Sequence, residues 1–262
     1  FSLKTQIIII NLELRDIVRC IITLDFDTSL VLPLNYNKIL QGFIYRNIAD
    51  RDLAEFVHDR GFSYGKRNFK MFTYSRLLGQ YTIDKRSKKI IYKPPVQLVV
   101  SSCYEDFFID LSVTLLKKKV EIAGTECCVS KMNILVEEPK GIQKIKGIQK
   151  IKMLSPVTAY STLNNGKTVY YSPDDYNFKR IIKENIIKKY IAFFKEEPPG
   201  MDFEIECSNN KFKKVVTNYD GFIIEGWMGS FFLKGNTNMI KLAYDTGIGG
   251  KNSQGFGCFE LI

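Results

Sequence analysis

The chain has 262 residues, 45% of them hydrophobic, and its 38 lysines and arginines outnumber 28 aspartates and glutamates to give a net charge of +10. This length suits one large domain or two small ones, and the charge favours a polyanionic partner, although lysine used as a general surface residue would give the same surplus. The single histidine excludes a histidine-rich zinc site, and the charged residues after Ile10 argue against a membrane span.

The first half of the chain predicts alternating strands and helices. A β-branched run at 18–27 predicts a strand, and apolar residues at helical spacing predict a helix from about Tyr36 to Ala49. Asp50 can cap a second helix over 51–60, which Gly61 ends. Strands over 67–77 and 96–102, a hairpin over 79–93, a helix over 104–119 and a strand over 127–138 complete a ferredoxin-like order with additions.

The second half repeats this order. Strands are predicted over 153–162 and 167–171, and Ser172 and Pro173 open a long helix with Asp174 and Asp175 in its first turn. Strands over 203–208, 211–217 and 221–235, a helix over 236–247 and a last strand over 255–262 follow. We therefore predict an α+β protein of two tandem ferredoxin-like (RRM-like) domains, residues 1–139 and 140–262, with the boundary near Pro139.

A six-residue sequence, GIQKIK, occurs twice in tandem, at 141–146 and 147–152. Two such copies are too few and too short for a solenoid. They indicate either a local duplication that lengthens a linker or the start of a strand, or a lysine-rich patch beside a bound nucleic acid.

The C-terminal stretch GIGGKNSQGFGCFELI, residues 247–262, holds five glycines within eleven positions and one lysine, Lys251. Such a cluster indicates a bend or a backbone that approaches a ligand closely. It fails the Walker A pattern, because Asn252 follows the lysine, and the dinucleotide fingerprint, because it leads into a strand. The residues alone leave open a tight connection before an edge strand or a loop that lies against phosphates.

Together with other segments, this loop resembles a known family. The segments are GIGGKNSQGFGCFE, LPLNYNKILQGFIYRNI, HDRGFSYGKRNFKMFTYSRL and KMLSPVTAYS. In their order over residues 18–262 they resemble the CRISPR-associated endoribonucleases that cut precursor CRISPR RNA within its repeats, the sixth Cas family. The resemblance implies the tandem fold, a repeat-RNA substrate, no cofactor and no metal ion. Residues 1–16, an extension or a misplaced start, and the second GIQKIK copy depart from the family's pattern.

Three residues match the family's active site. By helical spacing, His58 lies off the apolar face of its helix, which by itself favours an exposed or structural histidine. Tyr45 by itself suits a partly buried aromatic residue, and Lys70 a solvated strand lysine. The resemblance implies that His58 removes the proton of the RNA 2′-hydroxyl, that Tyr45 orients or protonates the leaving 5′-oxygen, and that Lys70 stabilises the phosphorane. The products would carry a 2′,3′-cyclic phosphate and a 5′-hydroxyl.

A second set of residues is expected to bind the RNA. The loop would contact phosphates through amides, an ammonium group and a hydroxyl, beside basic residues near Lys70; the set is Lys66, Arg67, Gly249, Gly250, Lys251 and Ser253. Two alternatives stay open: a non-cleaving RNA-binding subunit of a CRISPR effector complex with other Cas proteins, and a generic RRM-like protein.

Six cysteines without a C-x-x-C spacing indicate reduced thiols in a cytoplasmic protein with no membrane partner. Whether the protein forms a homodimer is left open by the sequence.

Overall fold

The computed structural model describes residues 19–117, 119–135 and 148–262. The predicted extension at 1–16, the boundary near Pro139 and the first GIQKIK copy lie outside these residues.

The first half of the fold is built around a five-stranded antiparallel sheet. Its elements, in chain order, are β1 (Arg19–Asp25), β2 (Leu30–Pro33), α1 (Asn37–Arg46), α2 (Arg51–Glu55), a π-helical turn (Phe56–Arg60), β3 (Phe62–Tyr64), β4 (Arg67–Phe69), β5 (Phe72–Tyr74), β6 (Tyr81–Asp84), β7 (Lys89–Tyr92), β8 (Val96–Ser102), α3 (Glu105–Lys117), β9 (Val120–Ile122) and β10 (Thr125–Leu135). The sheet order is β5–β8–β1–β10–β9. Strands β1, β5, β8 and β10 with helices α1 and α3 give the β-α-β-β-α-β order of a ferredoxin-like domain.

The second half repeats the arrangement around a four-stranded sheet. Its elements are β11 (Ile148–Met153), β12 (Tyr160–Thr162), β13 (Thr168–Tyr170), α4 (Tyr176–Phe194), β14 (Phe203–Tyr219), β15 (Phe222–Gly235), α5 (Thr237–Thr246), a 3-10 turn (Asn252–Gln254) and β16 (Phe259–Leu261). The sheet order is β14–β15–β11–β16, which gives the same β-α-β-β-α-β unit with α4 and α5. The prediction of a tandem ferredoxin-like fold is confirmed.

Each half has its own apolar core. In the first, α1 buries Leu40, Phe43 and Ile44 in the same cluster as the apolar face of α3. In the second, α4 buries Phe178, Ile182 and other residues at helical spacing in a cluster that also holds residues of β14, β15 and α5. Among the described residues, no helix has the length and apolar character needed to cross a bilayer.

Several predicted boundaries were wrong, for physical reasons. The strand predicted over 67–77 breaks between β4 and β5, because Met71 adopts a positive φ of 54°. The long helix begins at Tyr176, because Asp175 rather than Ser172 is its N-cap and accepts the Asn177 amide at 2.7 Å.

The second GIQKIK copy supplies most of an inner strand. Residues 148–152 belong to β11, which pairs with both β15 and β16, whereas the predicted strand began only at Met153. Ile151 and Met153 face the core at the period of two that a strand requires.

The two halves contact each other through buried polar groups as well as apolar ones. The Arg19 guanidinium, 2% exposed, donates to the carbonyls of Phe259 and Tyr244 at 2.7 Å each. It also lies 3.5 Å from the centroid of the Tyr244 ring, a cation–π geometry. The first strand of the first half therefore holds the last helix and strand of the second.

Candidate functional site

One face of helix α1 contacts the glycine-rich loop of the second half. Asn37, Gln41 and Tyr45 are spaced four residues apart and therefore lie along one face. The Asn37 amide donates to the carbonyls of Gln254 and Gly255 at 3.1 and 3.2 Å, and the Gln41 amide donates to the Ser253 carbonyl at 2.7 Å. The Ser253 side chain also lies close enough to Tyr45 to lower the pKa of its hydroxyl.

His58 lies beside Tyr45, at the end of the second helix. The Asp50 side chain caps that helix by accepting the Leu53 amide at 3.0 Å, and Gly61, with φ 67°, ends it as predicted. The last turn, Phe56–Arg60, is π-helical, a geometry often found at functional sites. The His58 and Tyr45 rings meet edge to face, with centroids 4.9 Å apart.

Asp59 orients the His58 ring. The Asp59 carboxylate lies 2.6 Å from Nδ1 of His58, and both side chains are exposed. Since a carboxylate only accepts hydrogen bonds, Nδ1 must carry a proton in this contact. In the neutral ring, Nε2 is then the nitrogen free to accept a proton from a substrate.

Tyr45 is held in its protonated form. Burial, with smaller contributions from Tyr219 and Asp59, raises the pKa of Tyr45 above its ordinary value, and the nearby Ser253 side chain only partly opposes this. Its ring also packs edge to face on Phe72 of β5, with centroids 5.8 Å apart. The side chain is therefore a fixed phenol that can donate a proton.

Lys70 completes this group. It lies at the break between β4 and β5, next to Gly61, where a Cβ in place of the glycine hydrogen would come within 3.1 Å of the Lys70 Cδ and 2.5 Å of the Phe69 carbonyl oxygen. Partial burial lowers the pKa of Lys70, and the nearby Asp59 carboxylate opposes this shift. The His58 ring contacts Asp59, and the charge of Asp59 acts on the pKa of both Tyr45 and Lys70.

A cleft of about 410 Å³ runs between the halves next to this group. That volume lies within the range of about 300–1,000 Å³ of ligand pockets. The first half contributes Arg67, Lys70 and Phe72, and the second contributes residues of β12, α4, α5 and the glycine-rich loop, namely Tyr160, Thr162, Asn185, Lys189, Thr246, Gly250, Lys251, Asn252, Ser253 and Gln254. Four of the expected RNA-binding residues therefore line one cleft: Arg67, Gly250, Lys251 and Ser253.

The other expected RNA-binding residues lie elsewhere. Lys66 is exposed in the turn between β3 and β4, outside the cleft lining, and Gly249 is buried. The Gly250 amide donates to the Thr158 carbonyl at 2.9 Å, so in this structure that amide is used within the protein rather than presented to a phosphate. The amide contact expected of Gly250 is therefore not available in this conformation.

Lys251 is the basic residue of the loop. Its Nζ lies 4.9 Å from the centroid of the Tyr160 ring, and partial burial lowers its pKa. Its backbone is left-handed, with φ 60°. The loop behind it is packed tightly: Gly255 has φ 83°, and a Cβ there would lie 2.7 Å from the Tyr74 ring. Lys251 is thus presented to the cleft by a rigid loop.

Sequence reasoning missed several residues of the site. Asn37 and Gln41 are four residues apart in the sequence, which places them on one helix face, but their hydrogen-bond partners lie more than 200 positions away in the chain. Lys189 and Asn185 lie on the buried side of α4. The feature of the sequence that could have identified them is a lysine on an otherwise apolar helix face. Among the residues that the structure describes, no three histidine, cysteine or acidic side chains are grouped to hold a metal ion.

Two family models together match most of the chain. "CRISPR associated protein Cas6, C-terminal" matches residues 136–261, and "CRISPR-associated protein Cas6, N-terminal" matches residues 31–133. The chain belongs to the Cas6 family. The resemblance found in the sequence is thereby confirmed.

Individual Cas6 proteins are similar over the same span. The CRISPR-associated endoribonuclease Cas6 1 of Methanocaldococcus jannaschii is 29% identical over 253 residues, which cover 93% of this chain and 92% of the relative. The CRISPR-associated endoribonuclease Cas6 of Pyrococcus furiosus is 27% identical over 242 residues, covering 90% and 86%. A solved structure of a CRISPR associated protein Cas6 is 28% identical and superposes with a TM-score of 0.74, covering 94% of this chain and 99% of that one.

Proposed function

We propose that this Cas6 protein binds CRISPR repeat RNA and cleaves it within the repeat to release guide RNAs. Family membership and the names of its endoribonuclease relatives support RNA cleavage. The observation that carries the proposal is the contact of His58 with Tyr45 near a cleft that Lys70 and other basic residues of both halves line.

In the proposed reaction the RNA supplies its own nucleophile. The 2′-oxygen attacks the adjacent phosphorus while its proton passes to Nε2 of His58, whose Nδ1 is held by Asp59. The bond from phosphorus to the 5′-oxygen breaks, and Tyr45 gives its proton to that leaving oxygen. The Lys70 ammonium stabilises the charge that develops on the phosphorane. The products are a 2′,3′-cyclic phosphate and a 5′-hydroxyl, and no metal ion takes part.

In the same proposal the cleft holds the RNA strand. Arg67 and Lys251 would neutralise phosphates, and the Ser253 hydroxyl would donate to one, with Lys66 at the exposed margin. Gly249 and Gly250 would act by letting the loop pack closely on Thr158 and Tyr160, because a Cβ at either glycine would come within 2.7 Å of those residues.

The test compares two RNAs of the repeat sequence from the CRISPR array of the same genome. One is all-RNA and the other carries a 2′-deoxy nucleotide at the scissile position. We expect the protein to bind both, to cleave only the first, and to do so in EDTA. Binding of both without cleavage would instead identify a repeat-RNA-binding subunit of an effector complex.

A third RNA, of random sequence, distinguishes repeat-RNA cleavage and repeat-RNA binding from the function of a generic RRM-like protein. For either repeat-specific function, repeat RNA should outcompete the random RNA at physiological salt. Full loss of cleavage in EDTA would contradict the metal-independent chemistry. Association with other Cas proteins stays a prediction, as does a cytoplasmic location.

A further inference from the structure

The cleft between the halves has a polar lining, and several of its hydrogen-bond donors are used inside the protein. Lys189 of α4 lines the cleft but is 2% exposed. Its Nζ donates to the Gly247 carbonyl at 2.7 Å, to the Thr246 carbonyl at 3.1 Å and to the Thr246 hydroxyl at 3.2 Å. The Thr246 hydroxyl in turn donates to the Leu242 carbonyl at 2.7 Å. Since an ammonium group has three N–H donors, Lys189 has none left for a neighbouring acceptor.

Asn185 lines the same cleft and has an acceptor without a partner. It lies one helical turn before Lys189 on α4 and is 8% exposed. Within the part of the chain that the structure describes, its Oδ1 has no hydrogen-bond partner. Buried acceptors without a partner are rare, and each one calls for a donor. Because the N–H groups of Lys189 are used, we look for that donor in a molecule that occupies the cleft.

Gln254 of the glycine-rich loop gives the cleft lining a second acceptor of this kind. Its Oε1 is buried and, among the described residues, also lacks a partner. The backbone of Gln254 is held in place, because its carbonyl accepts from the Asn37 amide at 3.1 Å and its N–H donates to the Lys251 carbonyl at 2.9 Å. Both unpaired atoms are amide oxygens, so the lining suits a ligand that brings N–H or O–H donors.

The chemistry of these acceptors indicates which part of an RNA would meet them. A phosphate diester has only acceptors and cannot satisfy an amide oxygen. The exocyclic amino groups of adenine, cytosine and guanine carry two N–H donors each, whereas the imino group of uracil carries one. A ribose 2′-hydroxyl can also donate. However, the Tyr160 ring lines the same cleft, and an aromatic ring is a surface on which bases stack, so the lining favours a base over a ribose.

We propose that Asn185 is a specificity-determining residue, which accepts a hydrogen bond from the exocyclic amino group of one base of the repeat. Gln254 is the second acceptor for the same base. This inference rests on the proposed function, since it takes repeat RNA as the ligand. Arg67 and Lys251, in the same lining, would hold the neighbouring phosphates. The cleft thus reads a base with its amides and holds the backbone with its cations.

The experiment removes single amino groups from the RNA. In the repeat RNA with the 2′-deoxy scissile nucleotide, each adenosine, cytidine and guanosine is replaced in turn by purine riboside, zebularine or inosine, which lack the amino group. Wild-type affinity should fall at least about fivefold for one of these RNAs, because the acceptor is then left unpaired in an occupied site. For Asn185→Ala the same replacement should cost about twofold or less, because the coupling is lost with either partner.

The matched control is Asn177→Ala, since Asn177 is the other asparagine of α4 and its side chain accepts from Arg180 at the exposed surface. It should keep the wild-type discrimination. Asn185→Leu fills the space without polar atoms and covers the case in which the alanine variant does not fold.

Two results would overturn the inference. One is a wild type that loses no affinity with any amino group, and the other is a folded Asn185 variant that loses as much as the wild type. A parallel set of RNAs with single 2′-deoxy nucleotides tests the ribose, and coupling of Asn185 to a 2′-hydroxyl instead of an amino group would also contradict the inference. Failure of the wild type to bind repeat RNA would instead overturn the proposed function.

Discussion

Removing only the hydroxyl of Tyr45 should abolish most of the cleavage while leaving the site in place. Tyr45→Phe keeps the ring contacts with His58 and Phe72, and loses only the interactions of the hydroxyl, which lies near the Ser253 side chain. A single neutral hydrogen bond contributes about 0.5–1.5 kcal/mol to stability, so the melting temperature should fall only slightly. Loss of a general acid lowers rates by about 10²–10⁴-fold, and we expect the single-turnover rate at saturating RNA to fall within that range.

Two controls separate chemistry from structure. Ser253→Ala removes the polar side chain beside this hydroxyl but keeps the phenol, so its rate should exceed that of Tyr45→Phe by at least about tenfold if loss of the acid dominates. Affinity for the 2′-deoxy RNA should be similar in Tyr45→Phe and the wild type. Wild-type cleavage by Tyr45→Phe would refute the assigned role. Because burial raises the pKa of Tyr45, deprotonation of this residue should cause no fall in the wild-type rate between pH 7 and 9.

Three further predictions concern the loop and the histidine. Gly255→Ala should lower the melting temperature, because a φ of 83° costs a residue with a Cβ about 1–2 kcal/mol and the added Cβ would contact the Tyr74 ring. An unchanged melting temperature would contradict the close packing of the loop. Lys251→Met should weaken RNA binding and reduce the slope of log affinity against log salt by about 1. The rate of cleavage at saturating RNA should not change. An unchanged slope would show that Lys251 does not contact a phosphate. Asp59→Asn should slow cleavage only about two- to five-fold, since the pair with His58 is exposed; a larger loss would give Asp59 a catalytic role.

Local signals in the sequence predicted most of the fold. The Asp50 cap, the Gly61 stop and the strand at 96–102 depend on neighbouring residues alone, and the structure has each of them. The break between β4 and β5 could not be predicted in this way. Met71 takes a positive φ that its residue type does not favour, so the sequence predicted one continuous strand over 67–77.

The site was harder to predict than the fold because its contacts are non-local. The family resemblance supplied His58, Tyr45 and Lys70; in the structure the His58 and Tyr45 rings are in contact, and the charge of Asp59 acts on Lys70. No spacing in the sequence indicated that α1 would hold the loop through Gln41 and Ser253. Lys189 donates to the backbone carbonyls of Thr246 and Gly247 at the end of α5. Every residue has a backbone carbonyl, so the residue types at these positions could not reveal the contact.

The most direct test of the account is the single-turnover cleavage rate of a His58→Ala variant on repeat RNA, at saturating protein and in EDTA. Since His58 is exposed, its removal should leave the fold and the affinity for the 2′-deoxy RNA unchanged. We expect the rate to fall by at least about 10²-fold, the usual contribution of a general base. Cleavage by His58→Ala at the wild-type rate would contradict it.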